Sequence, residues 1–291
     1  MLIEQRRRDL GGFEVGRVLP YPKRRMVGPF IFFDHMGPVD FPPGIPKSVD
    51  VRPHLHIGLA TLTYLFAGEI MHRDSVGSAQ AIRPGEVNWM MSGRGITHSE
   101  RFERARREGG RTDGIQAWVA LPRENEEDEP GFSHHGADEI PRLTEGGAHL
   151  RLIAGEALGQ RSPVPVHSPL CYLHCELNGS ATLPAPYREM GVYIASGAIE
   201  IDGTQHPAGR MVVLDGAKSF RLSSPGGATA IIIGGEPIGE RHIEWNFVSS
   251  SKGRIEQAKA DWRAGRMKLP DHDNGEFIPL PADSPPANPM S

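Results

Sequence analysis

The stretch VRPHLHIGLATLTYLFAG, Val51 to Gly68, places two histidines one residue apart at the head of an apolar, β-branched run. Residues i and i+2 of a strand point to one side of a sheet, so His54 and His56 share a face. Continued along one strand, that face carries Gly58 and Ala60, then Leu62, Tyr64 and Phe66. It reads as two polar groups, a space left by small side chains, and an apolar floor. A buried polar group needs a partner, and a pocket with a ligand at its mouth supplies one.

A second pair follows in GRGITHSERF, where His98 and Glu100 are again one residue apart and share a strand face. Two such strands meeting inside a barrel bring together three imidazoles and one carboxylate. Nitrogen and oxygen donors without thiolate suit Fe, Mn, Co, Ni, Cu or Zn. Four donors on two strands leave coordination positions open, which is the mark of a catalytic rather than a structural site. The remaining histidines read more plainly. His72 lies just past a turn, His134 and His135 fall in a linker, and His174 alternates away from its neighbours Cys171 and Cys175.

Outward from these pairs the chain is strand after short strand. FIFFDHM, AQAIRPG, EVNWMMSG, GIQAWVALP, LRLIAG, CYLHCEL, GVYIASG, AIEIDG, RMVVLDG and ATAIIIGG are rich in β-branched or aromatic residues, and most end at Gly or Pro. With 35 Gly and 26 Pro in 291 residues, turns are frequent and long helices are not expected. The one helix falls over 252–266, where Ile255, Ala258 and Trp262 recur at helical spacing behind Ser249–Ser251. The acidic segment 124–141 reads as a linker, and the Pro-rich PLPADSPPANPMS as an extended or disordered tail. The β regions on either side of the linker repeat one plan. LTYLFAGEI aligns with GVYIASGAI, pairing Tyr64 with Tyr193 and Gly68 with Gly197, and a later alignment pairs Gly85 with Gly209. The alignment puts Leu183 and Ala185 opposite His54 and His56, and Leu222 and Ser224 opposite His98 and Glu100, so only the first region carries ligands.

A formal charge of −4 gives no electrostatic reason to expect nucleic acid or an anionic membrane as partner. The apolar runs are too short to span a bilayer, and no secretory signal opens the chain. The two cysteines, about 13 Å apart along one strand, are too distant for a disulfide. A reduced, cytoplasmic protein is expected.

RPHLHIGLATLTYLFAGEIMHRDSVG followed by IRPGEVNWMMSGRGITHSE resembles the N-terminal cupin domain of pirins, and GIQAWVALP, IAGEALGQRSPV and IIIGGEPIGERHIEWNFVSSS continue the likeness in order. The resemblance implies an all-β bicupin: two tandem jelly-roll barrels with a short C-terminal helix. The expected divisions are 1–135, metal-binding; 136–245, without ligands; and 246–291, helix and Pro-rich tail. By motif position the ligands are His54, His56, His98 and Glu100, and Gln116 takes the place of a pocket glutamine. Pirins commonly carry Glu where this chain has Ala60, which bears on substrate choice more than on the metal.

Some pirins resemble quercetinases, which open a flavonol ring with dioxygen. The implied activity is a mononuclear metal dioxygenase of the quercetin 2,3-dioxygenase type, using one divalent metal, iron(II) first among the candidates. Its substrates are dioxygen and a flavonol-like or other enolisable aromatic, with Glu100 and Gln116 as catalytic groups. The alternative is a redox-responsive regulator that binds a protein partner, a transcription factor or enzyme subunit, without turnover.

Overall fold

In the computed structural model, which describes residues 1–9, 12–281 and 288–290, antiparallel strands dominate. The chain divides into two compact units. One comprises Met1–Arg7, Gly16–His35 and His135–Ile238; the other comprises Arg8–Val15, Met36–His134 and Gly239–Ser291. The all-β expectation holds.

Two sheets frame the histidine pairs. A four-stranded sheet runs in the order Val51–His56, Ile96–Arg101, Ile70–Asp74, Ala79–Ile82. Facing it, Gly131–His135, Val87–Met91, Leu59–Ala67, Gly110–Ala120 and Phe30–Phe41 are neighbours in that order. Phe41, Leu65, Ile70, Ile82 and Phe102 form an apolar cluster between the sheets. Burial of such side chains, at roughly 1.5–3 kcal/mol each, is what closes the barrel.

The stretch from Val51 to Gly68 is two strands rather than one. Val51–His56 belongs to the four-stranded sheet and Leu59–Ala67 to the facing one, with a break at Ile57–Gly58. Gly58 has φ +66°, a left-handed conformation that a β-carbon disfavours. The change of sheet alters which side chains share the histidines' interior. Thr61 pairs with Trp118 and Thr63 with Gln116 on one face of Leu59–Ala67, while Ala60, Leu62 and Tyr64 alternate to the other.

The segment expected as a linker is partly structured. Gly131–His135 is an edge strand, and Glu126 is buried, accepting hydrogen bonds from Ser249 and the Ser250 backbone and pairing with Arg241. The helix spans Lys252–Arg263, capped by Ser251, whose side chain accepts from the Arg254 amide. Its Ile255, Ala258 and Trp262 pack on Leu55, Ile57 and Phe247. The following segment lies along the same unit: Trp262 Nε1 donates to the Ile278 carbonyl, and the Ile278 amide to the Pro53 carbonyl. Residues 282–287 and 291 of the expected tail lie outside the described residues.

The other unit is a ten-stranded sheet whose longest members, Leu170–Pro184 and Ser219–Gly235, pair over most of their length. Its main core cluster is apolar. Leu183 and Leu222 are core residues, Ala185 packs beside them, and Ser224 donates its hydroxyl to the Ala198 carbonyl. Cys171 and Cys175 are free and buried in that core, and burial pushes both thiols up to about 12. A cavity of about 10 Å³, lined by Cys171, Leu173, Leu183, Met190, Phe220 and Ile232, remains there. That is room for about one water and no larger ligand.

Candidate metal centre

Strand register assembles the site. His54 stands directly opposite His98, and His56 opposite Ile96, so the three imidazoles project from adjacent strands into one space. Ring centroids lie 4.4 Å apart for His54 and His98, 4.8 Å for His54 and His56, and 5.0 Å for His56 and His98. Each offers one nitrogen within 4.8 Å of the others, and among the described residues this is the one such cluster of candidate ligands.

The second nitrogen of each ring is already engaged. His54 Nδ1 donates to the Arg52 carbonyl at 2.9 Å, and His56 Nδ1 to the Asn246 carbonyl at 3.2 Å. A carbonyl only accepts, so these bonds fix the proton on Nδ1 and leave Nε2 with its lone pair. His98 Nδ1 meets His72 Nδ1 at 3.3 Å, while its Nε2 is buried with no hydrogen-bond partner. Burial lowers the pKa of His54 to about 4, and burial together with neighbouring imidazoles holds His56 and His98 well below the ordinary value. The rings are therefore neutral, the form that binds metal. Three neutral imidazoles that converge on one space, one of them with a buried, unpartnered nitrogen, fit a divalent ion.

Glu100 sits two residues beyond His98 on the same strand, outside the 4.8 Å group. The register slips between His98 and Glu100 against Val51–His56, but stays regular against Ile70–Asp74, where Glu100 faces His72. Burial raises its carboxyl to about 7, and no hydrogen bond or ion pair among the described residues offsets this. Such a group is ready to accept a cation or a proton.

Gln116 lies on the facing sheet, its Oε1 accepting from the Thr63 hydroxyl at 2.7 Å. Trp118, two residues on, packs edge-on against His56 with centroids 5.0 Å apart. These define the wall opposite the imidazoles. Gly58 leaves no room in it: a β-carbon there would lie 2.0 Å from the Val248 carbonyl oxygen. Ala60 and Tyr64 are on the alternate face, so neither opens the pocket.

Residues that the sequence reading passed over also belong here. His72 lies on the strand Ile70–Asp74, stacked on Phe132 at 4.5 Å and bonded through Nε2 to Asp74 at 2.8 Å. His134 Nδ1 bonds Asn88 at 2.7 Å on the neighbouring strand. His72 and Asp74 form an H-x-D pair of the same spacing as H-x-H and H-x-E, which is the signal that marks them.

A barrel with three buried imidazoles on adjacent strands, joined in one chain to a second barrel filled with apolar residues, defines a two-cupin protein with a single histidine centre. Residues 12–119 match the pirin family model and residues 171–268 that of the pirin C-terminal cupin domain; the chain belongs to the pirin family. It is 61% identical to a pirin-like protein of Caulobacter vibrioides, over 97% of this chain and 99% of that one. It is 38% identical to a Pseudomonas aeruginosa protein provisionally named a quercetin 2,3-dioxygenase, over 89% and 82% of the two chains. The crystal structure of a quercetin 2,3-dioxygenase from Acinetobacter baumannii matches with a TM-score of 0.90 at 32% identity, covering 99% of this chain and 97% of that one.

Proposed function

We propose that the protein is a mononuclear metal dioxygenase of the quercetin 2,3-dioxygenase type, acting on flavonol-like or other enolisable aromatic compounds. The convergence of three neutral imidazoles on one point carries this reading. The likeness to the Acinetobacter baumannii dioxygenase over nearly the whole chain supports it. His54, His56 and His98 would hold the ion through Nε2, with Glu100 as fourth donor and iron(II) as the first candidate. When bound, the ion supplies Lewis acidity and a one-electron couple, which bring an ionised aromatic and dioxygen into reaction.

The chain's own groups do the rest. The Glu100 carboxylate accepts the proton of the substrate hydroxyl as it binds. Gln116, its carbonyl held by Thr63, turns its amide N–H toward a substrate oxygen. Trp118 and Phe132 supply flat apolar walls that orient an aromatic ring and exclude water.

Oxygen uptake by iron-loaded protein with quercetin tests the proposal. Uptake matched to flavonol loss is expected, and His98→Ala should abolish bound metal and uptake together. Loaded protein that never consumes oxygen with flavonols would overturn it.

A further inference from the structure

Resting on the metal site just described, we propose that Asp74 and His72 form a relay that fixes the tautomer of His98 and so aims its Nε2 lone pair at the ion. Each link follows from which atoms can donate. Asp74 Oδ1 accepts the backbone amides of Val76 and Ser78, at 3.0 and 2.9 Å, which pins the carboxyl in its turn. Its Oδ2 is left for His72 Nε2, at 2.8 Å. A carboxylate only accepts, so His72 carries a proton on Nε2, and as a neutral ring it presents a bare Nδ1. That bare nitrogen lies 3.3 Å from His98 Nδ1, which must then be the donor. His98 is thereby the Nδ1–H tautomer, and its buried, unpartnered Nε2 is a lone pair.

The other two histidines reach the same tautomer by donating to backbone carbonyls. His98 uses side chains instead, so its orientation depends on two replaceable residues. Phe132, stacked on His72 with an interplanar angle of 17°, holds the relay ring in plane. His72 and Asp74 are positioning residues: they act on the site through His98.

The test reads the tautomer in the metal-free protein and metal affinity separately. Histidine side-chain nitrogen NMR of the metal-free parent should show His98 protonated at Nδ1 and bare at Nε2; protonation at Nε2 would overturn the relay. His72→Leu removes the acceptor and should mix the His98 tautomers and weaken Ni²⁺ binding, measured by competition, by roughly 10–100-fold. His72→Asn places a carbonyl oxygen where Nδ1 stood and should restore a single tautomer and near-parental affinity. Parental tautomer and affinity in His72→Leu would refute the proposal. Should that variant not fold, a mixed His98 tautomer in His72→Asn would refute it and a single one support it. Parent protein that shows the bare Nε2 yet binds no Ni²⁺ would leave the relay standing and sink the metal reading.

Discussion

Gly58 turns the chain from the sheet that carries His54 and His56 into the sheet that faces them. Its φ of +66° and the Val248 carbonyl 2.0 Å from where a β-carbon would sit leave room for hydrogen alone. Gly58→Ala should cost about 2–4 kcal/mol, a left-handed penalty plus overpacking, read from urea unfolding of the variant. At this scale the H-x-H and H-x-E pairs were legible because period two alone puts each pair on one face. What lay beyond Gly58 was not. A single positive φ flips the alternation downstream, and an apolar run shows no sign of it, so Ala60, Leu62 and Tyr64 read as pocket when Thr61, Thr63 and Trp118 are. His72 was missed for a related reason. Placed just past the turn at Gly68, His72 read as a residue with no partner, whereas it sits inside the strand Ile70–Asp74, paired across one residue with Asp74.

Among the elements, the helix Lys252–Arg263 was readable from its Ser251 cap and the spacing of Ile255, Ala258 and Trp262. Its task was not, because nothing local says which surface an apolar stripe will meet. It packs against Leu55 and Ile57, flanking His56 on the ligand strand. Trp262→Ala should therefore cost about 3–5 kcal/mol of stability, measured by denaturant titration with metal present. The internal duplication was legible down to its turns. Gly68 and Gly197 both have positive φ, +94° and +75°, and at each a β-carbon would press on a backbone carbonyl, of Arg111 and of Gly227. Aligned glycines of this kind mark equivalent turns because both backbone demands exclude other residues. Gly131–His135 escaped notice because an edge strand of intermediate burial in an acidic, Gly- and Pro-containing segment has no periodic signature.

Over the whole molecule, two barrels of one plan have diverged in what fills them: one keeps imidazoles and a carboxyl, the other leucines and buried thiols. The apolar barrel carries its own pH sensitivity. His174, buried on Leu170–Pro184, has its pKa lowered to about 4, first by burial and then by Arg151. The unfolded chain binds this proton near pH 6.5, so between pH 6.5 and 4 it holds more protons than the folded one. Stability from this group is full above pH 6.5 and falls as pH drops toward 4, by roughly 3 kcal/mol in total. His174→Gln should flatten that part of the pH–stability curve relative to the parent in thermal unfolding.

X-ray absorption at the metal edge of the purified, loaded protein addresses the histidine centre itself. One ion per chain is expected, in a shell of nitrogen and oxygen only with imidazole scattering from three rings, and no such ion in His98→Ala. Substoichiometric metal, sulfur in the shell, or an unchanged spectrum in that variant would contradict the assignment of His54, His56 and His98 as the ligands.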